Sequence, residues 1–281
     1  MLNAKLISLA AATSLMAGFA SAQEGLPSIG KPSQDGLGFQ PATTELMRDI
    51  VWFDDILHIV SAAIVVFVTA LLLWCIYRYS AKRNPEPATW THNSLIEVVW
   101  TGVPVVILLV LAVISVPLLY KQMTVPESDV VIIGTGNQWY WSYEYPDEEL
   151  SFDAIMLEKD ELEEYGYAED EYLFATDTAI VVPVNATVHM LVTGSDVIHA
   201  WTIPSFGVKM DAVPGRMNEF WFRPEEVGVY FGQCSELCGK DHSYMPIVVK
   251  VVSEDDYYDW LEETRDAQLG GQKTKVAAVV E

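Results

Sequence analysis

The stretch Val98-Val-Trp-Thr-Gly-Val-Pro-Val-Val-Ile-Leu-Leu-Val-Leu-Ala-Val-Ile-Ser-Val-Pro-Leu-Leu-Tyr120 decides the fold. It runs for 23 residues without a charge. At about 1.5 Å of rise per residue, a helix of that length crosses a hydrocarbon layer about 30 Å thick. A companion run, residues 59–77, has 19 uncharged positions, including Ile64-Val65-Val66-Phe67-Val68 and Leu71-Leu72-Leu73-Trp74. Neither run has the polar face that a helix of a soluble core turns to water. The pair therefore reads as two membrane spans, with Cys75 inside the first.

The connection between them carries Arg78, Lys82 and Arg83, whereas Asp49, Asp54 and Asp55 precede the first span. The positive-inside rule puts the connection in the cytoplasm and both chain ends outside. Residues 1–22 lead to the same orientation. Lys5, an apolar stretch over residues 6–19 and Ala20-Ser21-Ala22 read as a cleaved signal peptide leaving Gln23 as the mature start, since the run is short for an anchor. Residues 23–121 are then an arm and a two-span hairpin, the arm being rich in Gly, Pro, Gln and Ser and expected to be exposed.

Residues 122–265 read as exported β structure. Val130-Val131-Ile132-Ile133, Trp139-Tyr140-Trp141-Ser142-Tyr143, residues 179–184 and 187–192, Glu219-Phe220-Trp221-Phe222, Val229-Tyr230-Phe231 and residues 247–252 are β-branched or aromatic runs divided by Gly, Pro and Asn. Short strands so punctuated predict a sandwich or Greek-key barrel. One helix is expected, at residues 254–264, and residues 266–281 are expected to form a disordered or trimmed tail.

With 39 acidic against 16 basic side chains the formal charge is −23, although 51% of residues are hydrophobic and the mean hydropathy is +0.21. The two averages belong to different segments. A polyanion needs a basic surface to release its counterions, so nucleic acid is excluded as a partner. Cationic partners or metal ions suit this charge. Three cysteines are too few for a disulfide scaffold, and the absence of C-x-x-C-H excludes a fused c-type haem.

Chemistry concentrates in Cys234-Ser-Glu236-Leu-Cys238-Gly-Lys-Asp-His242-Ser-Tyr-Met245, with His199 placed 35 positions before Cys234. A Cys234–Cys238 disulfide fits an exported protein but leaves the His and Met spacing unexplained. A structural zinc site would use two Cys and two His and has no use for Met245. Copper accepts thiolate, thioether and imidazole together. A mononuclear site would leave one Cys over, unless two copper ions share both sulfurs. Ligand chemistry favours that dinuclear reading, with zinc and the disulfide standing as alternatives.

These residues, together with Trp139-Tyr140-Trp141-Ser142-Tyr143-Glu144-Tyr145, Asp196-Val-Ile-His199-Ala-Trp201, Pro214-Gly215-Arg216 and the two-span half, resemble subunit 2 of cytochrome c oxidase, over about residues 45–262. The signal peptide and acidic insertions resemble the bacterial aa3-type enzymes. The resemblance implies a copper A centre in a cupredoxin-like Greek-key barrel behind a two-helix transmembrane hairpin. In it, Cys234 and Cys238 bridge two copper ions, His199 and His242 bind one each, and Met245 and the Glu236 carbonyl complete the pair. It further implies a catalytic haem-copper oxidase subunit as partner, and a bacterial inner membrane with the C-terminal domain in the periplasm.

Other roles follow from the same resemblance. The Glu236 carboxylate, otherwise a solvated loop group, would hold a magnesium ion shared with the catalytic subunit. Trp139, by composition a core residue, would be the port through which electrons arrive from cytochrome c. Glu144, Asp147, Glu149 and Asp196 would dock that cytochrome, and the acidic run between Glu158 and Glu171 either joins them or merely hydrates. Glu97, at the cytoplasmic end of the second span, would mark a proton pathway entrance rather than a solvated carboxylate. The function so implied is electron transfer from cytochrome c to haem for oxygen reduction coupled to proton translocation. The alternative from a different class is a membrane-tethered copper carrier.

Overall fold

The structure is a computed structural model, described for residues 25–32 and 36–279. The signal-peptide expectation lies outside the described residues. The chain divides into two compact units: Asp49–Lys121 forms one, and the segment up to Arg48 joins Gln122 onward in the other.

The first unit consists of most of α1 (Glu45–Arg78) and α2 (Ser94–Met123). Thr44 starts α1 by accepting the Met47 N–H on its hydroxyl, and Asn93 starts α2 by accepting the Ile96 N–H on its side chain. Both are N-caps that satisfy backbone donors the helix leaves open. Pro104 and Pro117 sit inside α2, which a spanning helix tolerates. Large apolar side chains such as Val66 and Leu108 point outward from these helices, a surface that water would not cover stably. An ion pair between Asp49 and Lys121 (2.5 Å) joins the two helices at one end.

The second unit is the β domain. A five-stranded sheet has the order β4 (Leu150–Ala154), β3 (Tyr140–Tyr145), β2 (Val130–Asn137), β6 (Val188–Gly194) and β9 (Asn218–Phe222). It is antiparallel except where β2 runs parallel to β6. A four-stranded sheet has the order β1 (Ser28–Gly30), β10 (Gly228–Gln233), β11 (Pro246–Val252) and β5 (Ile180–Pro183), and β7 (His199–Ile203) pairs with β8 (Val208–Ala212). Along β2 alternate residues are buried, as a sheet with one covered face requires. Between the sheets lie Trp201, Phe206, Phe222 and Tyr230, with Phe206 ring centroids 5.0 Å from Phe222 and 4.7 Å from Tyr230. An apolar helix pair followed along the chain by two sheets of mixed pairing matches the expected cupredoxin-like architecture.

The arm departs from expectation. Ser28–Gly30 is not exposed chain but β1, pairing parallel to β10 through Ser28↔Val229 and Gly30↔Tyr230. Thr43 and Thr44 are buried, with their hydroxyls on the Ser205 and Phe206 carbonyls. Three residues are too few to show alternation, and a Cβ at Gly30 would lie 2.7 Å from the Tyr230 Cα, so the glycine that reads as loop punctuation is there for close packing.

At the other end, α3 (Glu254–Val279) continues well past residue 264. Residues 266–279, within the tail expected to be disordered or trimmed, are helical, for their Gln, Lys, Ala and Leu residues are good helix formers.

The acidic run differs as well. Leu157, Leu162, Tyr167 and Ala175 pack with Val229, Phe231 and Val248 in one buried cluster. The segment is thus a cover on the outer face of the four-stranded sheet, and this explains why every residue of β11 is buried. Most of its carboxylates are exposed, but Glu171 is buried, accepting the Ala168 N–H at 2.8 Å, and Lys31 of the arm holds Asp170 and Glu171 at 3.0 and 3.2 Å.

Candidate metal centre

The antiparallel pair β10 and β11 ends at Gln233↔Pro246, and residues 234–245 form the loop that closes this end. The Cys234 N–H donates to the Met245 carbonyl (3.3 Å) and the Ser235 N–H to the Ala200 carbonyl (3.0 Å). The second bond lashes the loop to β7, whose first residue is His199. Gly136 permits the approach from the other side, since a Cβ there would stand 2.8 Å from the His199 ring.

The donors converge as a result. Cys234 Sγ lies 3.9 Å from Cys238 Sγ, 3.8 Å from His199 Nδ1 and 3.4 Å from the Glu236 carbonyl. Cys238 Sγ is 3.5 Å from His242 Nδ1 and 3.5 Å from Met245 Sδ. The donor atoms of His199, Cys234 and Cys238 all lie within 4.8 Å of one another. Those three residues and Met245 are buried, His199 completely. No disulfide joins the cysteines.

Two further features fit a metal. His199 presents Nδ1 to the sulfurs while Nε2 donates to Asp196 Oδ1 at 2.8 Å, the carboxylate-backed arrangement usual for a ligating imidazole. Burial opposes that imidazolium, but Cys234 and Asp196 raise its pKa overall. The two thiols ionise unequally. Burial raises the Cys234 pKa, yet hydrogen bonds from His199 and the backbone of Ala200 and Glu236 outweigh it and leave the thiol at about 7. Burial and the neighbouring Cys234 push Cys238 up to about 12. The second proton leaves readily only when a cation takes its place, as in metal binding.

Trp139 stands between β2 and β3 with its indole against the metal-binding loop. Lys240 Nζ lies 5.2 Å from the ring centroid. Glu236 directs its carbonyl at Cys234 and is itself exposed. Asp196 is more internally committed than a docking acid needs to be, for it accepts hydrogen bonds from His199 Nε2 and from the Val197 and Gln138 N–H groups. The other three acids stand apart. Glu144 is exposed toward the far end of β3, and Asp147 and Glu149 lie beyond it, a strand length of roughly 20 Å from Trp139. Glu97 is exposed in the first turn of α2, in the other unit.

Comparison with known proteins agrees with this geometry. Residues 130–252 match the model of cytochrome c oxidase subunit II, periplasmic domain, and residues 32–118 match that of its transmembrane domain. The chain belongs to the cytochrome c oxidase subunit II family. It is 51% identical over 270 residues to cytochrome c oxidase subunit 2 of Cereibacter sphaeroides, covering 90% of this chain and 89% of that one. It is 44% identical over 243 residues to probable cytochrome c oxidase subunit 2 of Rickettsia bellii, covering 86% and 89%. Among solved structures, the periplasmic domain of subunit II of cytochrome oxidase from Bradyrhizobium japonicum is 46% identical, covering 51% of this chain and 98% of that one, with a TM-score of 0.46. This family is copper-containing, its members are subunits of a haem-copper oxidoreductase, and the chain is a membrane protein with a periplasmic domain.

Sequence reading missed Gln138, Gly136 and Gly239. Gln138 carries no ligand chemistry, and the two glycines matter only through what approaches them.

Proposed function

We propose that this chain accepts electrons from cytochrome c at a dinuclear copper A centre and passes them to haem in the catalytic subunit, where oxygen is reduced and protons are translocated across a bacterial inner membrane. The burial of two sulfurs, an imidazole and a thioether within 4 Å contacts carries this reading. Cys234 and Cys238 would bridge the ions, His199 and His242 would bind one each, and Met245 and the Glu236 carbonyl would be the weaker donors. When bound, the copper pair supplies a one-electron site whose charge is spread over two metals. The chain's part is to hold the donors still. Cys234 and Met245 are tied to each other by a backbone hydrogen bond and His199 is fixed by Asp196, so the set need not rearrange as an electron comes and goes.

The remaining candidate residues would serve the same electron transfer. Trp139 receives the electron at the surface. Glu144, Asp147, Glu149 and Asp196 draw a basic cytochrome toward this domain, an attraction that weakens with salt. The exposed Glu236 carboxylate binds magnesium with the catalytic subunit. Glu97 leads protons from the cytoplasmic side toward that subunit.

A membrane-tethered copper carrier would want an open, exchangeable site, and completely buried His199 argues against one. The test is copper content together with visible, near-infrared and electron-spin spectra of the purified oxidase. Two coppers per chain beyond the copper of the catalytic subunit, with a delocalised mixed-valence signal, support the proposal. Zinc in their place, or copper that a mild chelator removes at once, overturns it.

A further inference from the structure

The turn before β3 is fastened to the metal-binding loop by contacts that ligand binding does not require. The Gln138 N–H donates to Asp196 Oδ2, and its side-chain Nε2 donates to the Cys238 carbonyl, both at 2.8 Å. One residue on, the Trp139 indole meets Gly239. A Cβ at Gly239 would stand 2.9 Å from Trp139 Cζ2, 3.2 Å from its Nε1 and 3.1 Å from Gln138 Nε2, and the Gly239 φ of +133° is one that side-chain-bearing residues rarely adopt. Trp139 Nε1 is buried with no hydrogen-bond partner among the described residues. Buried indoles usually find one, so here packing and the Gln138 tether set the ring's position.

We propose that Gln138 and Gly239 are positioning residues for electron transfer through Trp139. Gln138 ties the backbone carrying the indole to the carbonyl of a copper-bridging cysteine. Gly239, bare of a side chain, lets the ring close onto that cysteine's own peptide. An electron arriving at Trp139 then crosses a single non-bonded gap before a covalent route through Gly239 and Cys238 to Sγ. The donor is oxidised and the copper centre reduced by one electron, no bond is made or broken, and the indole is left unchanged. Neither proposed residue is among the proposed metal ligands, and the inference rests on Trp139 as the port and Cys238 as a ligand.

Stopped-flow reduction of the copper centre by ferrocytochrome c in the intact oxidase tests it, with Gly239→Ala, Gln138→Leu and Trp139→Leu compared. Gly239→Ala should slow copper reduction about tenfold, inside the roughly 10²-fold that a 1 Å misplacement can cost, and Gln138→Leu should slow it less. The KM for cytochrome c, the copper electron-spin signal and the copper-to-haem rate should stay as in the parent enzyme, which a general loss of structure would not allow. Parental rates in both variants, while Trp139→Leu is slow, overturn the inference and leave the port intact. Parental rates in all three remove the port and the inference together. If Gly239→Ala fails to hold copper, Gln138→Leu decides. Copper loss in that variant also overturns the proposal, since Gln138 would then support the loop itself.

Discussion

Two irregular segments of the β domain invite comparison: the metal-binding loop, residues 234–245, and the acidic cover, residues 155–178. Both connect strands at a place where regular pairing stops. The first buries polar donors and holds its shape through backbone ties and, in the proposed state, metal. The second buries ordinary apolar side chains and leaves its charges in water, apart from Glu171, which is buried and paired with Lys31. A segment that looks hydrophilic can thus be anchored by a few apolar residues, and one that looks chemically rich can have little apolar packing of its own.

That contrast can be broken at either end. The largest effect is expected for Cys234→Ser, which should abolish the mixed-valence copper signal while leaving the strands folded by circular dichroism. Retained parental copper spectra would show that the loop does not depend on this thiolate. Next comes Leu162→Ala in the cover, which should destabilise the domain by about 2–5 kcal/mol, the usual range for a buried leucine. Denaturant unfolding would measure it, and an altered copper spectrum would erase the distinction between the segments.

Lys250 gives a smaller effect with a definite sign. It lies on β11 beneath the cover, 5% exposed, with Nζ 5.8 Å from the Tyr167 ring centroid. Burial lowers its pKa to about 8 from an ordinary 10.5. Below about pH 8 both folded and unfolded chains carry the proton, and the folded state bears the full penalty. Between about pH 8 and 10.5 the unfolded chain binds more protons, so stability from this group rises with pH. Lys250→Met should therefore stabilise the domain at pH 7 by about 3 kcal/mol, and the gain should vanish above pH 10.5. A pH-independent difference would place the lysine charge in water.

Met245→Leu comes next, since a weak ligand tunes a site more than it holds it. Copper should remain while the reduction potential rises or transfer slows, and complete metal loss would promote Met245 to an essential donor. The least change is expected from Glu161→Gln with Glu164→Gln on the exposed side of the cover. Unfolding midpoints should hold, and only the salt dependence of cytochrome association should flatten.

Much of this comparison was legible in the sequence. Uncharged runs of 23 and 19 residues leave little choice beyond spanning helices, and Cys234, Cys238, His242 and Met245 announce their chemistry by type and spacing. Contacts made by unremarkable residues were not legible. Leu157, Leu162 and Tyr167 are scattered among carboxylates, and their periodicity is hidden because the segment is neither strand nor regular helix. Asp196 reads as one more surface acid until the fold sets it against His199 and Gln138. Ser28-Ile29-Gly30 offers no pattern at all, because its role depends on a partner strand far along the chain.

That last pairing has a consequence for biosynthesis. Ser28 meets Val229, a separation of 229 − 28 = 201 residues, with both spans and most of the barrel between them. The first strand of the domain can join its sheet only after the later strands exist on the same side of the membrane. Until then the flank of β10 is an open strand edge, a surface prone to wrong pairing. Closing so long a loop weighs little on final stability but delays the event. The earliest-made strand of this domain is thus among the last to be placed, and its docking reports that every intervening segment has arrived.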